Sequence, residues 1–146
     1  MEKQTYSIRI NAPREKVWNA LWDLQSYREW TKPFSADSHA ETDNWKKGTD
    51  VKFGDGKGNG MVARVIDNRP NEYMSFEHYG EIKDGVVDTE SERVKSWAGA
   101  HENYTLKGEN GSTELVVDLD MNDEWKGFFD EAWPMALDKV KELAEK

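Results

Sequence analysis

The chain has 146 residues, no cysteine and a formal net charge of −9. The absence of cysteine excludes disulfides, thiolate metal sites and a cysteine nucleophile. The charge is uneven, because residues 1–73 carry 12 basic and 11 acidic groups whereas residues 74–146 carry 8 and 18. An acidic half of this kind argues against binding to nucleic acid or to an anionic membrane.

The sequence gives no sign of secretion or of membrane insertion. Its first ten residues, MEKQTYSIRI, lack the apolar core of a signal peptide. No run approaches the roughly 18 consecutive apolar residues that a spanning helix needs. We therefore expect a cytoplasmic protein, and the length suits one domain over residues 1–146.

The N-terminal part predicts a strand followed by two short helices. Apolar and polar residues alternate in TYSIRI, which is typical of a half-buried strand. A helix is expected next, with Asn11 as its cap and Pro13 in its first turn. Its apolar stripe is Val17, Trp18, Leu21 and Trp22. A second short helical segment over LQSYREWTKPF ends at Pro33.

The middle of the chain predicts short antiparallel strands joined by turns. The alternating segments are TDVKF, MVARVID, YMSFEHY, ENYTLK and TELVVDLDM. We interpret GDGKGNG, residues 54–60, as a hairpin turn, since no helix follows it as a phosphate-binding loop would require. Asn110-Gly111 predicts a two-residue hairpin. Residues 81–100 are expected to form a polar connection, whose acidic part, 81–92, is a solvated loop, a mobile lid or a partner-binding surface.

The run from 122 to 143, NDEWKGFFDEAWPMALDKVKEL, is the most periodic in the chain. Steps of three and four keep its apolar residues on one stripe, so it predicts a long amphipathic helix that is capped by Asp123 or Asn122. Pro134 falls on the opposite face, where it indicates a kink or a division into two helices. We expect the segment from Leu137 to Leu143 to be core, and the aromatic segment from Trp125 to Trp133 to form a cavity wall.

The order of the elements indicates an α+β fold. A curved antiparallel sheet of about six or seven strands is expected to wrap around the long C-terminal helix, with two short helices after the first strand. In this arrangement the last helix is the one long element available to cover the apolar face of the sheet.

The segments INAPREKVWNAL, YREWTKPF and AWPMALDKVKELAEK, in this order and spacing, resemble the START-like, or SRPBCC helix-grip, superfamily. Within it, the sequence is similar to the branch that includes the C-terminal domain of the activator of Hsp90 ATPase. The resemblance covers essentially the whole chain. It implies a cavity between the sheet and the last helix that binds lipids, sterols, polyketides or plant hormones. In a few members of the superfamily the cavity cyclises or dehydrates polyketides.

The predicted ligand-binding residues combine bulky apolar side chains with a few polar anchors. They are Trp30, Phe34, Phe53, Met61, Phe76, His78, Glu102, Tyr104, Trp125, Phe129 and Trp133. We predict that His78 faces Glu102 on neighbouring strands, with Phe76 opposite Tyr104 and Met74 opposite Leu106. A His-Glu pair inside the cavity would orient a ligand or act as acid and base, whereas at an open rim it would be wet and structural.

Three functions follow from these residues. The favoured interpretation is a non-catalytic domain that binds a small hydrophobic molecule such as a lipid or a polyketide. The second is an interaction protein associated with a chaperone, and the third is a polyketide cyclase or aromatase that uses His78 and Glu102 as weak catalytic candidates. No metal or other cofactor is expected, because His39, His78 and His101 lack the spacing of metal ligands. We expect a monomer or a weak dimer.

Overall fold

The computed structural model describes residues 1–146. It contains eight strands and four helices. In chain order these are β1 (Glu2–Ile10), α1 (Arg14–Trp22), α2 (Leu24–Trp30), β2 (His39–Thr42), β3 (Asp50–Gly54), β4 (Gly60–Arg69), β5 (Tyr73–Lys83), β6 (Val86–Asp88), α3 (Glu92–Lys95), β7 (Ala100–Glu109), β8 (Ser112–Met121) and α4 (Asp123–Glu145).

The strands form one antiparallel sheet in the order β1-β8-β7-β5-β4-β3-β2, and β6 pairs with the end of β5. Helix α4 covers the sheet and packs against β1, α1 and α2. The core is continuous from the sheet through α1 and α2 to α4. The predicted α+β helix-grip fold, with two short helices after the first strand, is therefore confirmed.

Helix α4 is one continuous helix that passes through Pro134, so a division into two helices is wrong. Its buried residues keep the predicted stripe: Ala132, Trp133, Ala136, Leu137, Val140 and Ala144. Pro134 lies on the exposed face, as predicted. Asn122 occupies the cap position but makes no hydrogen bond through its side chain. The aromatic residues Trp125 and Phe128, near the start of the helix, are 52% and 45% exposed.

The start of α1 differs from the prediction. Pro13, with extended backbone angles, occupies the cap position, so Asn11 does not cap this helix. The backbone N–H of Asn11 instead donates to the Glu145 carboxylate at 2.8 Å. This bond ties the last turn of α4 to the segment between β1 and α1. The next helix, α2, does have a side-chain cap, because Asp23 accepts from the N–H of Ser26 at 3.1 Å.

Residues 81–100 are more ordered than the polar connection that the sequence predicted. Strand β5 continues to Lys83, β6 returns along its end, and α3 follows. The turn is made by Asp84 and Gly85, whose φ angles are +51° and +78°. Asn110 and Gly111 have similar angles, +50° and +82°, in the β7–β8 turn. Both are two-residue hairpins of the type that favours Asn-Gly and Asp-Gly. The one at residue 84 was not predicted, because β6 has only three residues and is too short for a clear alternating pattern.

The predicted hairpin turn at residues 54–60 is confirmed as the connection between β3 and β4. Asp55 organises it, since one carboxylate oxygen accepts from the N–H groups of Lys57 and Asn59 at 2.8 and 3.1 Å. Gly60 closes the hairpin opposite Gly54, and a Cβ at this position would clash with the carbonyl oxygen of Phe53. Backbone cannot move aside as a flexible side chain can, so this position requires glycine.

We expect Gly60→Ala to lower the free energy of unfolding by roughly 1–3 kcal/mol, because the added methyl group forces the two strands apart. Gly127→Ala is the matched control, since a Cβ at this exposed helical position meets nothing within 4 Å. It should raise stability by up to about 1 kcal/mol through helix propensity. Urea denaturation of both variants measures the difference. Wild-type stability in Gly60→Ala would contradict this account of the turn.

Candidate functional site

A cavity of about 490 Å³ lies between the sheet and the N-terminal half of α4. This volume is in the range of small-molecule sites in proteins. Its wall is mainly aromatic and is drawn from helices, strands and loops. The aromatic lining residues are Tyr27, Trp30, Phe34, Phe53, Trp97, Tyr104, Trp125, Phe128, Phe129 and Trp133. Large rings meet edge to face more readily than they fill space, so a sheet and a helix that both carry them leave a gap.

All of the predicted site residues line this cavity except Phe76. Phe76 is fully buried behind the wall, where its ring lies 5.3 Å from that of Phe53 and 6.2 Å from that of Tyr104. It therefore supports lining residues and does not reach the cavity. Whether the lining residues contact a ligand stays a prediction.

The cavity has a buried inner wall and an exposed mouth. Trp30 and Trp133 are 1% and 2% exposed and form the inner wall. Trp125 and Phe128 lie at the mouth and are about half exposed. Phe34 lies between the two regions, with its ring centroid 4.9 Å from that of Trp133. Aromatic side chains therefore line the cavity from its exposed mouth to its inner wall.

A polar cluster stands among these rings on β5 and β7. Glu102 accepts a hydrogen bond from the Tyr104 hydroxyl, and one of its carboxylate oxygens lies 2.9 Å from Nε2 of His78. The side chains of His78 and Glu102 are 12% and 18% exposed. Nδ1 of His78 is buried without a hydrogen-bond partner. The pair is therefore inside the cavity and not at a wet rim.

The predicted strand register around this pair is wrong by two residues. Phe76 pairs with Glu102, His78 with Ala100, and Met74 with Tyr104. A shift of two leaves the same side chains facing inward, because side chains alternate with a period of two. The contact between His78 and Glu102 survives as a diagonal one, which long side chains can span.

Two tyrosines beside Glu102 are held in the protonated form. Burial, and then the charge of Glu102, raise the pKa of Tyr104 well above its ordinary value of 10.0. The same two causes, in the same order, raise the pKa of Tyr27. Both phenols thus remain hydrogen-bond donors at any physiological pH. Tyr104 already donates to Glu102, so Tyr27 is the donor that remains available to a ligand.

Several lining residues were missed by the sequence prediction. The main ones are Tyr27, Thr31, Trp97, Leu119 and Met121. Phe128 was not among the predicted ligand-binding residues, but it lies in the segment that was predicted as a cavity wall. Tyr27 lies three residues before Trp30 on α2, and this helical spacing could have placed both rings on one face. Trp97 follows α3 in the segment that was predicted as a polar connection, where no pattern points inward. Buried Trp45, behind the wall, has a φ of +58°, which apolar periodicity cannot reveal.

The sheet wrapped on a long helix, with an aromatic cavity between them, defines a START-like helix-grip domain. The sequence pattern of one family, described as polyketide cyclase / dehydrase and lipid transport, matches residues 1–144. The chain belongs to this family. No curated protein matches the chain. None of the four helices has the length and apolar character that spanning a membrane requires.

Solved structures share the fold at low sequence identity. Protein MLL2253 from Mesorhizobium loti has 16% identity and a TM-score of 0.75, with 99% of this chain and 97% of that chain covered. The Aha1 dimer from Colwellia psychrerythraea has 19% identity and a TM-score of 0.73, with coverages of 99% and 97%. DynU16, from the dynemicin biosynthetic locus, has 16% identity and a TM-score of 0.72; the match covers 100% of this chain but 48% of DynU16.

The raised pKa values of Tyr27 and Tyr104 predict that the stability of the fold decreases as the pH becomes alkaline. In the unfolded chain the phenols ionise near pH 10, whereas in the folded chain they keep their protons to higher pH. The free energy of unfolding should therefore fall as pH rises above 10, with a slope that approaches ~1.4 kcal/mol per pH unit for each tyrosine. Tyr104→Phe should make this slope shallower by about one such contribution. Urea denaturation at several pH values from about 9 to about 11, a range that includes the ordinary phenol pKa, measures the slopes of wild type and Tyr104→Phe. Equal slopes in the two proteins would contradict the assignment of this pH dependence to Tyr104.

Proposed function

We propose that this chain binds a small, mainly apolar molecule in the cavity under α4. The observation that carries the proposal is the aromatic cavity of about 490 Å³ with the hydrogen-bonded cluster of His78, Glu102 and Tyr104 in its wall. An apolar wall with a few convergent polar groups is the usual form of a small-molecule site. The rings supply contact area, while Tyr27, Glu102 and Tyr104 supply anchors.

The family supports this proposal, since its description includes both lipid transport and polyketide cyclisation or dehydration. Both activities need an enclosed site for a hydrophobic molecule. A lipid or a polyketide-like compound is accordingly the ligand class from which we start. The exposed rings of Trp125 and Phe128 at the mouth would give such a molecule an apolar entry path.

Ala100 and Ala98 offer a matched pair of variants that test the cavity. Ala100 lines the cavity beside His78, and Ala98 is exposed two residues earlier. We expect Ala100→Trp to fill part of the cavity beside His78 and to weaken binding by about tenfold or more. Ala98→Trp should bind as the wild type does, because the added ring lies outside.

Native mass spectrometry of the protein as purified from cells, followed by NMR titration with lipids and aromatic polyketides, reads out this difference. Shifts should concentrate at Trp125, Phe129 and Trp133. Titrations in which no lipid or polyketide shifts any cavity residue, or in which both variants bind alike, would contradict the proposal.

Catalysis is a second candidate function, favoured by the 2.9 Å contact between His78 and Glu102 inside the cavity. In this candidate function Glu102, whose carboxylate is positioned by His78 and Tyr104, takes a proton from a substrate carbon next to a carbonyl. The Tyr27 hydroxyl would hydrogen-bond the carbonyl oxygen, which gains negative charge as the proton leaves. A cyclase or dehydrase reaction begins with such a proton transfer.

Hydrogen–deuterium exchange at the carbon next to the carbonyl of a β-keto thioester, followed by NMR, tests this step. If the protein is an enzyme, wild type should accelerate the exchange and Glu102→Gln should lose about 100-fold or more of that rate. Glu131→Gln, on the exposed face of α4, is the control and should keep it. An exchange rate equal to that of buffer would leave binding as the function.

A surface role beside a chaperone has less support. The likeness to the Aha1 structure is at 19% identity and concerns the fold. A solid interior would have favoured a surface role, whereas the cavity favours a ligand. The same comparison is with a dimer, so a weak dimer of this chain remains part of the proposal.

A further inference from the structure

The charged groups that line the cavity are strongly biased to one sign. Four carboxylates belong to the lining, Asp55, Glu81, Glu102 and Asp120, and no lysine or arginine does. Glu81 is neutralised by Arg93 at 2.6 Å. The other three carboxylates form no salt bridge with a lysine or an arginine.

The remaining groups that can be positive do not reverse this bias. His78 lies against Glu102, and His101 lies 3.3 Å from the carboxylate of Glu77, so each histidine faces a negative group. Met1 also belongs to the lining, but it is 56% exposed at the rim, where solvent screens its terminal amine. Deeper in the cavity, no cation other than histidine is available to bind an anion.

The aromatic wall acts in the same direction as the carboxylates. The face of an aromatic ring carries partial negative charge, so it attracts a cation and repels an anion. The rings of Tyr27, Trp30 and Tyr104 belong to the inner part of the lining, and Glu102 stands among them. Such a combination of aromatic faces and a carboxylate is the arrangement that proteins use for ammonium groups.

We infer that the ligand is a lipophilic amine, whose cationic nitrogen lies near Glu102 and whose apolar body lies against the rings of α4. This inference rests on the proposed function and names the ligand class for the same site. A fatty-acid carboxylate in the same position would meet the carboxylate of Glu102, and His78, which already contacts Glu102, is the one group beside it that can carry a positive charge. An alcohol would bind between these extremes, because it can donate to Glu102 and accept from Tyr27.

Two matched ligand series test the charge preference. One series is decylamine, 1-decanol and decanoate. The other is 2-(2-naphthyl)ethylamine, 2-(2-naphthyl)ethanol and 2-naphthylacetate. All six are titrated at neutral pH and low salt, below their aggregation concentrations, and followed by tryptophan fluorescence and NMR. We expect the amine of at least one series to bind about tenfold or more tighter than the carboxylate, as opposite signs of charge near a buried carboxylate require.

Variants locate the origin of the preference. Glu102→Gln should reduce the ratio of amine to carboxylate affinity by about tenfold. Asp120→Asn, nearer the rim, should reduce it less, and it serves if Glu102→Gln fails to fold. Glu131→Gln is the control for net charge, since it removes one exposed carboxylate from α4 and should leave the ratio unchanged.

The outcomes separate this inference from the proposed function. If carboxylates bind as tightly as amines, or if Glu131→Gln changes the ratio as much as Glu102→Gln does, the inference is overturned while binding in the cavity stands. If no member of either series binds, the proposed function itself is contradicted. A preference for amines that Glu102→Gln abolishes supports both.

Discussion

The ring of Trp133 sets the distance between α4 and the rest of the molecule. It is almost fully buried, and its centroid lies 4.9 to 6.1 Å from those of Tyr6, Trp30, Phe34 and Tyr104. The helix can approach closely only after this ring, where its buried side chains are small or aliphatic. Before it, the cavity lies between the helix and the sheet, and the Tyr6 hydroxyl on β1 donates a hydrogen bond of 2.7 Å to Asp130 of the helix. The cavity is therefore a consequence of where the large rings end along one helix.

The same packing isolates a carboxylate. Glu102 is placed by β7 among aromatic rings and its side chain is 18% exposed, so its charge is screened less than that of a carboxylate on the surface. After burial, its charge is the second cause that raises the pKa values of Tyr27 and Tyr104, and its carboxylate contacts His78. The Glu102 carboxylate takes part in all three proposals: it is an anchor for ligand binding, the base in the candidate proton transfer and the origin of the preference for an amine. They differ in what the ligand presents to it.

Much of this arrangement is predictable from the sequence, and the exceptions have physical causes. The stripe of α4, the inward faces of the strands and the Asn110-Gly111 turn follow from local patterns, so the fold and most of the cavity wall could be inferred. The register of β5 and β7 could not, because a slip of two residues leaves the inward pattern unchanged. The buried position of Trp45 depends on a positive φ in a turn, and the place of Trp97 in the cavity wall depends on the chain returning after β6. Neither leaves a periodic signal.

Isotope-filtered NOE spectroscopy tests the central claim most directly. Labelled wild-type protein is mixed with unlabelled decylamine, and contacts between ligand and protein protons are assigned. We expect contacts between the decyl chain of the ligand and the rings of Phe129 and Trp133. The ligand carbon bonded to nitrogen should contact Tyr27 or Tyr104. Contacts confined to exposed apolar residues outside the cavity, such as Val86 and Met135, would contradict it.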